Sequence, residues 1–143
     1  MILNRSYIRK NKHIFYGVAI GNFDGIHLGH RFLLNKLLSC KNSSKDKVAV
    51  ITFNPHPIKI LKPSVWKKNL ITFRTKFRLL EKLGVDTLFQ IPFTKDFSNL
   101  NARFFIEEIL IKNIQSKNIL VGEDFRFGKN REGDIHLLTE YSD

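Results

Sequence analysis

The sequence is poor in cysteine and in long apolar runs. Cys40 is the single cysteine among 143 residues, which excludes a disulfide framework and a cysteine-rich zinc module and favours a cytoplasmic protein. No apolar run approaches the ~20 residues that cross a bilayer, and residues 1–13 lack the apolar segment of a secretory signal. From the sequence we therefore expect no membrane partner.

Acidic side chains are also scarce, since 13 Asp and Glu stand against 24 Lys and Arg and leave a net charge of +11. This charge favours anionic partners such as nucleotides, nucleic acid or an acidic membrane surface. Lys62, Lys67 and Lys68 lie beside Trp66, a combination that suits single-stranded nucleic acid. A solvated loop explains this cluster better, so we expect no specific nucleic-acid partner. A basic nucleic-acid-binding protein is an alternative that rests on charge alone.

Alternating strand and helix patterns predict a single α/β domain. Apolar runs, several of them β-branched, predict strands at 15–20, 48–53, 85–91 and 118–121. Apolar faces of helical spacing predict helices at 30–40, 73–83 and 102–114, with a further helix after Asp134 and a long irregular loop at 54–66. Asn101 and Asp134 are expected to cap helices, and Gly84 to end one. The pattern indicates a doubly wound parallel sheet, whose ligands lie beyond the carboxyl ends of its strands.

Residues 21–30, GNFDGIHLGH, connect the first of these predicted strands to the first predicted helix. Gly21, Gly25 and Gly29 let the backbone turn tightly and approach a bound group. His27 and His30 lie one turn apart at the helix N-terminus, whose free N–H groups and dipole attract anions. The Walker and dinucleotide loops are excluded, because neither GK[ST] nor G-x-G-x-x-G is present. Two histidines at this spacing could instead bind zinc or lie idle on the surface, but further ligands with metal-like spacing are missing, so we expect no protein-bound metal.

Three motifs, in the expected order, give the sequence a family resemblance. IGNFDGIHLGH at 20–30 resembles the adenylylation motif of the bacterial bifunctional riboflavin kinase/FAD synthetases, members of the HxGH nucleotidyltransferase superfamily. TFNPHPIKIL at 52–61 resembles their TF-x-PHP segment, and VGEDFRFGKNREGD at 121–134 resembles their VG-x-DFRFGK-x-x-x-GD loop. Together the motifs are specific to the FMN adenylyltransferase module, and the Rossmann-like fold of that superfamily is implied for nearly the whole chain.

The resemblance implies transfer of the adenylyl group of ATP to FMN, which gives FAD and pyrophosphate, with Mg²⁺ balancing the triphosphate. It assigns ATP binding to Gly21, Phe23, Asp24, His27, Gly29 and His30, and catalysis to the two histidines. It assigns flavin binding to Asn54, Pro55, Pro57, Asp124, Phe125, Arg126 and Phe127. Because the phosphate of FMN is an ionised nucleophile, no general base is needed, and catalysis rests on alignment and on donors for phosphoryl charge.

Structural roles compete with two of these assignments. Phe125 and Phe127 alternate with polar residues, which suits side chains at the edge of a core. The PHP segment suits a rigid loop that carries His56 on its surface.

The sequence departs from the family pattern in two places. Asn54 stands where relatives commonly carry an acid. The family module also continues into an ISST-x-IR-like segment and a riboflavin kinase β-barrel, whereas this sequence ends at Asp143. We expect residues 1–143 to form most of an FMN adenylyltransferase domain, without the riboflavin kinase domain. A separate chain is one source for the missing segment, and a nucleotide- or flavin-binding remnant without turnover is the alternative function.

Overall fold

The computed structural model describes residues 1–9, 13–26 and 28–142. Five strands form one sheet in the order β1-β4-β3-β2-β5, and all neighbouring strands are parallel. The strands are β1 (Ile2–Asn4), β2 (Phe15–Ile20), β3 (Val48–Asn54), β4 (Thr87–Pro92) and β5 (Ser116–Leu120). The prediction of a doubly wound parallel sheet is confirmed. Strand β1 is an addition, because a run of three residues is too short to show a strand pattern in sequence.

Helices connect the strands and cover both faces of the sheet. They are α1 (Leu28–Ser39), α2 (Pro57–Leu61), α3 (Phe73–Leu83), α4 (Lys95–Ser98), α5 (Ala102–Phe104), which continues as a π-helix (Phe105–Ile114), a 3₁₀ turn (Lys129–Arg131) and α6 (Ile135–Glu140). The predicted caps are confirmed: Asn101 accepts from the Phe104 N–H and Asp134 from the Leu137 N–H, and Gly84 ends α3 with φ 103°. Within the described ranges, no helix is long and apolar enough to cross a membrane.

One local expectation was wrong, and one predicted helix has an unexpected hydrogen-bond pattern. The loop predicted at 54–66 contains α2, because a proline is well placed at the first position of a helix, and Pro57 occupies it. The helix at 102–114 is mostly a π-helix, in which the Gln115 N–H bonds the Leu110 carbonyl five residues back, at 2.8 Å. The predicted Phe105, Ile106, Ile109 and Leu110 are nevertheless buried, together with Ala102 and Ile114.

Side chains that alternate along the strands pack into two apolar clusters, one on each face of the sheet. On one face, Ile20, Ile51 and Phe89 pack with the buried side of the 102–114 helix. On the other face, Ala19, Val50, Leu88, Leu34, Leu37 and Leu80 join the strands to α1 and α3. The sheet therefore separates two layers of helices, as the doubly wound fold requires.

The direction in which the chain adds strands reverses at β2. The chain first adds β3 and β4 on one side of β2, and α1 and α3 cover that face of the sheet. It then returns through the 102–114 helix, on the opposite face, and places β5 on the other side of β2. The crevice outside the carboxyl ends of β2 and β5 is thus the topological switch point, where open α/β sheets bind ligands.

Candidate functional site

Three loops leave the sheet beside the switch point. The turn after β2, residues 21–26 (the motif turn), precedes α1. The PHP segment, residues 55–57, follows β3, and residues 121–134 (the β5 loop) follow β5. Because β3, β2 and β5 are neighbours in a parallel sheet, the three sequence motifs lie along one edge.

The motif turn has a strained backbone. Phe23 and Ile26 have φ of 50° and 40°, beside Gly25 at 90°. Positive φ is a genuine outlier for a bulky or β-branched residue, and strain of about 1–3 kcal/mol per residue persists only where packing enforces it. Both side chains are buried in the cluster with α1 and α3, which supplies that packing. Strain held in this way is typical of ligand sites.

The N-terminus of α1 follows the motif turn and provides donors for an anion. Gly29 and His30 lie in the first turn of α1, where backbone N–H groups have no acceptor within the helix. No acidic residue in that turn neutralises the helix dipole. The ring of His30 lies 5.0 Å from that of Phe23, centroid to centroid, and its Nδ1 is buried. His27 lies outside the described residues, and its role stays a prediction.

The carboxylate of Asp24 connects the motif turn to the segment before α3 through hydrogen bonds. Each of its carboxylate oxygens lies 2.9 Å from the Leu70 backbone nitrogen, and Oδ1 also accepts from the Ile71 N–H at 3.2 Å. Phe23 is fully buried and supports the ring of His30. Both predicted ATP residues thus shape the turn, and their contact with nucleotide stays a prediction.

Lys76, which the sequence motifs do not include, also reaches the motif turn. From the beginning of α3, its Nζ donates to the Asn22 carbonyl at 2.7 Å. Burial lowers the pKa of Lys76 below its ordinary value, and the nearby Asp24 carboxylate opposes this shift. A sequence signal existed: Lys76 stands among Phe73, Phe77 and Leu80 on the apolar face of an amphipathic helix, an unusual place for a lysine.

The PHP segment starts α2. Nδ1 of His56 accepts from the Ile58 N–H at 3.2 Å, and its ring lies 5.1 Å from that of Trp66. Pro55 and Pro57 are half-buried, while Asn54 is exposed at the end of β3 and accepts from the Phe93 N–H through its carbonyl. His56 is half-buried and not the surface residue of the simpler interpretation. The segment is a capped helix start whose flavin role stays a prediction.

The β5 loop folds back on the 102–114 helix. Phe127 is buried in the core against Phe105, and Phe125 stacks on it with ring centroids 5.6 Å apart. Arg126 pairs with Asp134 at 3.2 Å, and Asp124 is exposed. The structural interpretation of the two phenylalanines is confirmed. Of the four predicted flavin residues in this loop, Asp124 and the outer parts of Phe125 and Arg126 are the groups that a ligand can reach.

Among the described residues, no group of three or more His, Cys, Asp or Glu side chains could hold a metal ion. The carboxylate in the motif turn, Asp24, already accepts backbone N–H groups. A magnesium ion here would therefore take most of its ligands from phosphates and water, which is its usual mode with nucleotides.

Fold and site together define a class of protein: a doubly wound α/β domain whose switch point holds a helix N-terminus that attracts anions. Within this class the family is shown by comparison. The family model described as FAD synthetase matches residues 10–143, and the chain belongs to that family.

Similar proteins agree with this assignment. The chain is 40% identical over 123 residues to the bifunctional riboflavin kinase/FMN adenylyltransferase of Buchnera aphidicola subsp. Schizaphis graminum, covering 86% of the chain and 39% of that protein. It is 36% identical to a FAD synthetase of Listeria monocytogenes, covering 86% of the chain and 50% of that protein. The chain thus spans two fifths to one half of these relatives.

A solved structure shows the same fold. The crystal structure titled a macrolide-efflux protein from Streptococcus pneumoniae matches with a TM-score of 0.83 and 27% identity. The match covers 100% of this chain and 56% of that chain.

Proposed function

We propose that this chain carries FMN adenylyltransferase activity, the transfer of the adenylyl group of ATP to FMN. The observation that carries the proposal is the convergence of three family motifs at the switch point, around the N-terminus of α1. The names of the relatives point to the same reaction. ATP, FMN, FAD and pyrophosphate are the small molecules of this proposal, and the cytoplasm is the compartment that supplies ATP.

In the proposed reaction, a phosphate oxygen of FMN attacks the α-phosphorus of ATP. One P–O bond forms, the bond between the α-phosphorus and its bridging oxygen breaks, and pyrophosphate leaves with that oxygen. The nucleophile is already ionised, so the chain has only to align the two phosphates and stabilise charge. We assign this role to the N–H groups at the start of α1 and to the side chains of His30 and His27.

The two substrates are assigned to different loops. ATP phosphates lie on the motif turn and α1, with Gly29 leaving room for close approach to the backbone. FMN lies toward the β5 loop and the PHP segment, where Asp124, Phe125 and Asn54 are the accessible groups. Mg²⁺ enters bound to the triphosphate and lowers its charge repulsion.

The test is FAD formation from FMN, ATP and Mg²⁺, measured by chromatography, for the wild type and for His30→Ala. If His30 donates to phosphoryl charge, the substitution slows turnover by about 10²–10³-fold. Asn35→Ala, an exposed change on the same helix, is the matched control and should leave the rate unchanged. Binding of ATP by the wild type without any FAD would favour a nucleotide-binding role and overturn the proposal.

A further inference from the structure

Lys76 is a half-buried cation that lacks an ion pair. The ion pairs of the described residues do not include Lys76, and the hydrogen bond of its Nζ goes to a neutral acceptor, the Asn22 carbonyl. The nearest carboxylate in its environment, Asp24, already accepts from two backbone N–H groups. A desolvated ammonium without a counter-ion is costly, and it is relieved when an anion binds.

The surroundings of Lys76 raise the positive potential further. Lys76 lies in the first turns of α3, where the dipole disfavours a cation, and that turn contains no acidic residue. The N-terminus of α1 points to the same edge of the sheet, because both helices connect parallel strands of one sheet. The charges of Asp24 and Lys76 also act on the pKa of His56 in the PHP segment, in opposite directions. The motif turn thus precedes one helix N-terminus and contacts an ammonium in the first turns of a second helix.

The position of Lys76 also indicates which part of a nucleotide would reach it. Nζ of Lys76 contacts the motif turn, to which we assign the ATP phosphates, whereas FMN is assigned to the β5 loop and the PHP segment. In phosphoryl-type transfer the attacking and leaving oxygens lie roughly in line across the phosphorus. We therefore place the pyrophosphate, which leaves on the side opposite FMN, on the motif turn that Lys76 contacts.

We propose that Lys76 binds the β- and γ-phosphates of ATP and the pyrophosphate that leaves, an inference that rests on the proposed function. When the phosphate binds, the ammonium of Lys76 exchanges its neutral partner, the Asn22 carbonyl, for a charged one. This makes Lys76 a binding residue for the leaving group, in addition to the donors on α1.

The experiment compares calorimetric binding of ATP, pyrophosphate and AMP to the wild type, Lys76→Met and Lys76→Arg. Methionine keeps the alkyl stem on the apolar face and removes the charge. We expect Lys76→Met to bind ATP and pyrophosphate about 10- to 100-fold more weakly, with AMP binding unchanged. Lys76→Arg should recover part of the loss. Lys82→Gln, an exposed lysine on the same helix, should bind all three as the wild type does.

Three outcomes would overturn the inference. The first is equal pyrophosphate binding by the wild type and Lys76→Met, and the second is an equal loss for AMP and pyrophosphate, which would mark a structural effect on the turn. A wild type that binds no pyrophosphate would overturn it as well. Production of FAD by the wild type is measured separately and decides the proposed function. Since Lys76→Arg keeps the charge, its pyrophosphate affinity still tests the inference if the methionine variant fails to fold.

Discussion

The stability of helix α2 depends on the protonation state of His56. Its Nδ1 can cap α2 only while it is unprotonated. Burial lowers the pKa of His56 below its ordinary value of 6.5, with Lys76 adding to the shift and Asp24 opposing it. Over the range just below pH 6.5, the unfolded chain therefore binds more protons than the folded one, and stability falls as the pH decreases.

We predict that His56→Asn removes this pH dependence, because asparagine caps helices well and does not titrate. Urea denaturation at about pH 7.5 and about pH 5.5 should show a larger loss of stability for the wild type than for the variant. His13, whose pKa burial also lowers, is present in both proteins and cancels in the comparison. Identical losses would contradict a capping role for the neutral imidazole.

Asp124 is the proposed flavin residue of the β5 loop whose carboxylate is exposed and has no ion pair among the described residues. We predict that added protein changes FMN fluorescence, and that Asp124→Ala weakens this binding about tenfold through loss of a charged hydrogen bond. Glu123→Ala removes the neighbouring exposed carboxylate and should leave the affinity unchanged. FMN fluorescence that ignores saturating protein would show the flavin assignment to be wrong.

At the scale of elements, the β5 loop depends on Gly128 for its path. Gly128 has φ 78°, and a Cβ there would lie 2.7 Å from the backbone nitrogen and Cα of Ala102. We expect Gly128→Ala to lower the free energy of unfolding by about 2–4 kcal/mol, from overpacking and from the strained φ. At Gly122, the other end of the loop, an added Cβ meets Asp124 Oδ1 at 3.4 Å, so Gly122→Ala is the control. Similar thermal midpoints for the two variants would refute this packing role.

Elements with strong periodicity could be predicted from sequence. Leu34 and Leu37 are buried on α1 as their spacing indicates, and β2 has the predicted bounds. The π-helix could not be predicted, because buried side chains four to five residues apart suit either helix type and the choice depends on tertiary packing. The sequence pattern does not predict helix α2, because prolines usually break helices. Pro57 instead begins this one.

The position of the three loops at one edge could be predicted from chain order. The contacts of the motif turn, which depend on packing, could not. Motif order along the sequence was enough to bring the three loops to one edge, since parallel strands end together. The hydrogen bonds of Asp24 to Leu70 and Ile71 span more than forty residues of sequence and have no local signal. Lys76 reaches the motif turn in the same way, through the packing of α3 on the sheet.

At the scale of the whole molecule, β5 ends the sheet, and its outer side faces no strand among the described residues. An unpaired edge strand can pair with a second copy. The net charge of +11 opposes that pairing at low ionic strength. We therefore predict dimers by sedimentation in high salt and monomers in low salt.

Ile119→Lys places a charge on the edge strand and should keep the protein monomeric in high salt. Ile111→Lys, on an exposed side of the 102–114 helix, should leave the association unchanged. A wild type that stays monomeric in high salt would exclude pairing through β5.

The separation of the two apolar clusters by the sheet has a consequence for cooperativity. The motif turn is anchored in the cluster with α1 and α3, whereas the β5 loop is anchored in the cluster with the 102–114 helix. Substrates bound across the switch point would contact one loop from each layer. Amide hydrogen exchange should then slow in both layers together when ATP and FMN bind, because opening either layer releases ligand. Without substrates, we expect the two layers to exchange at different rates, because no ligand then contacts both loops.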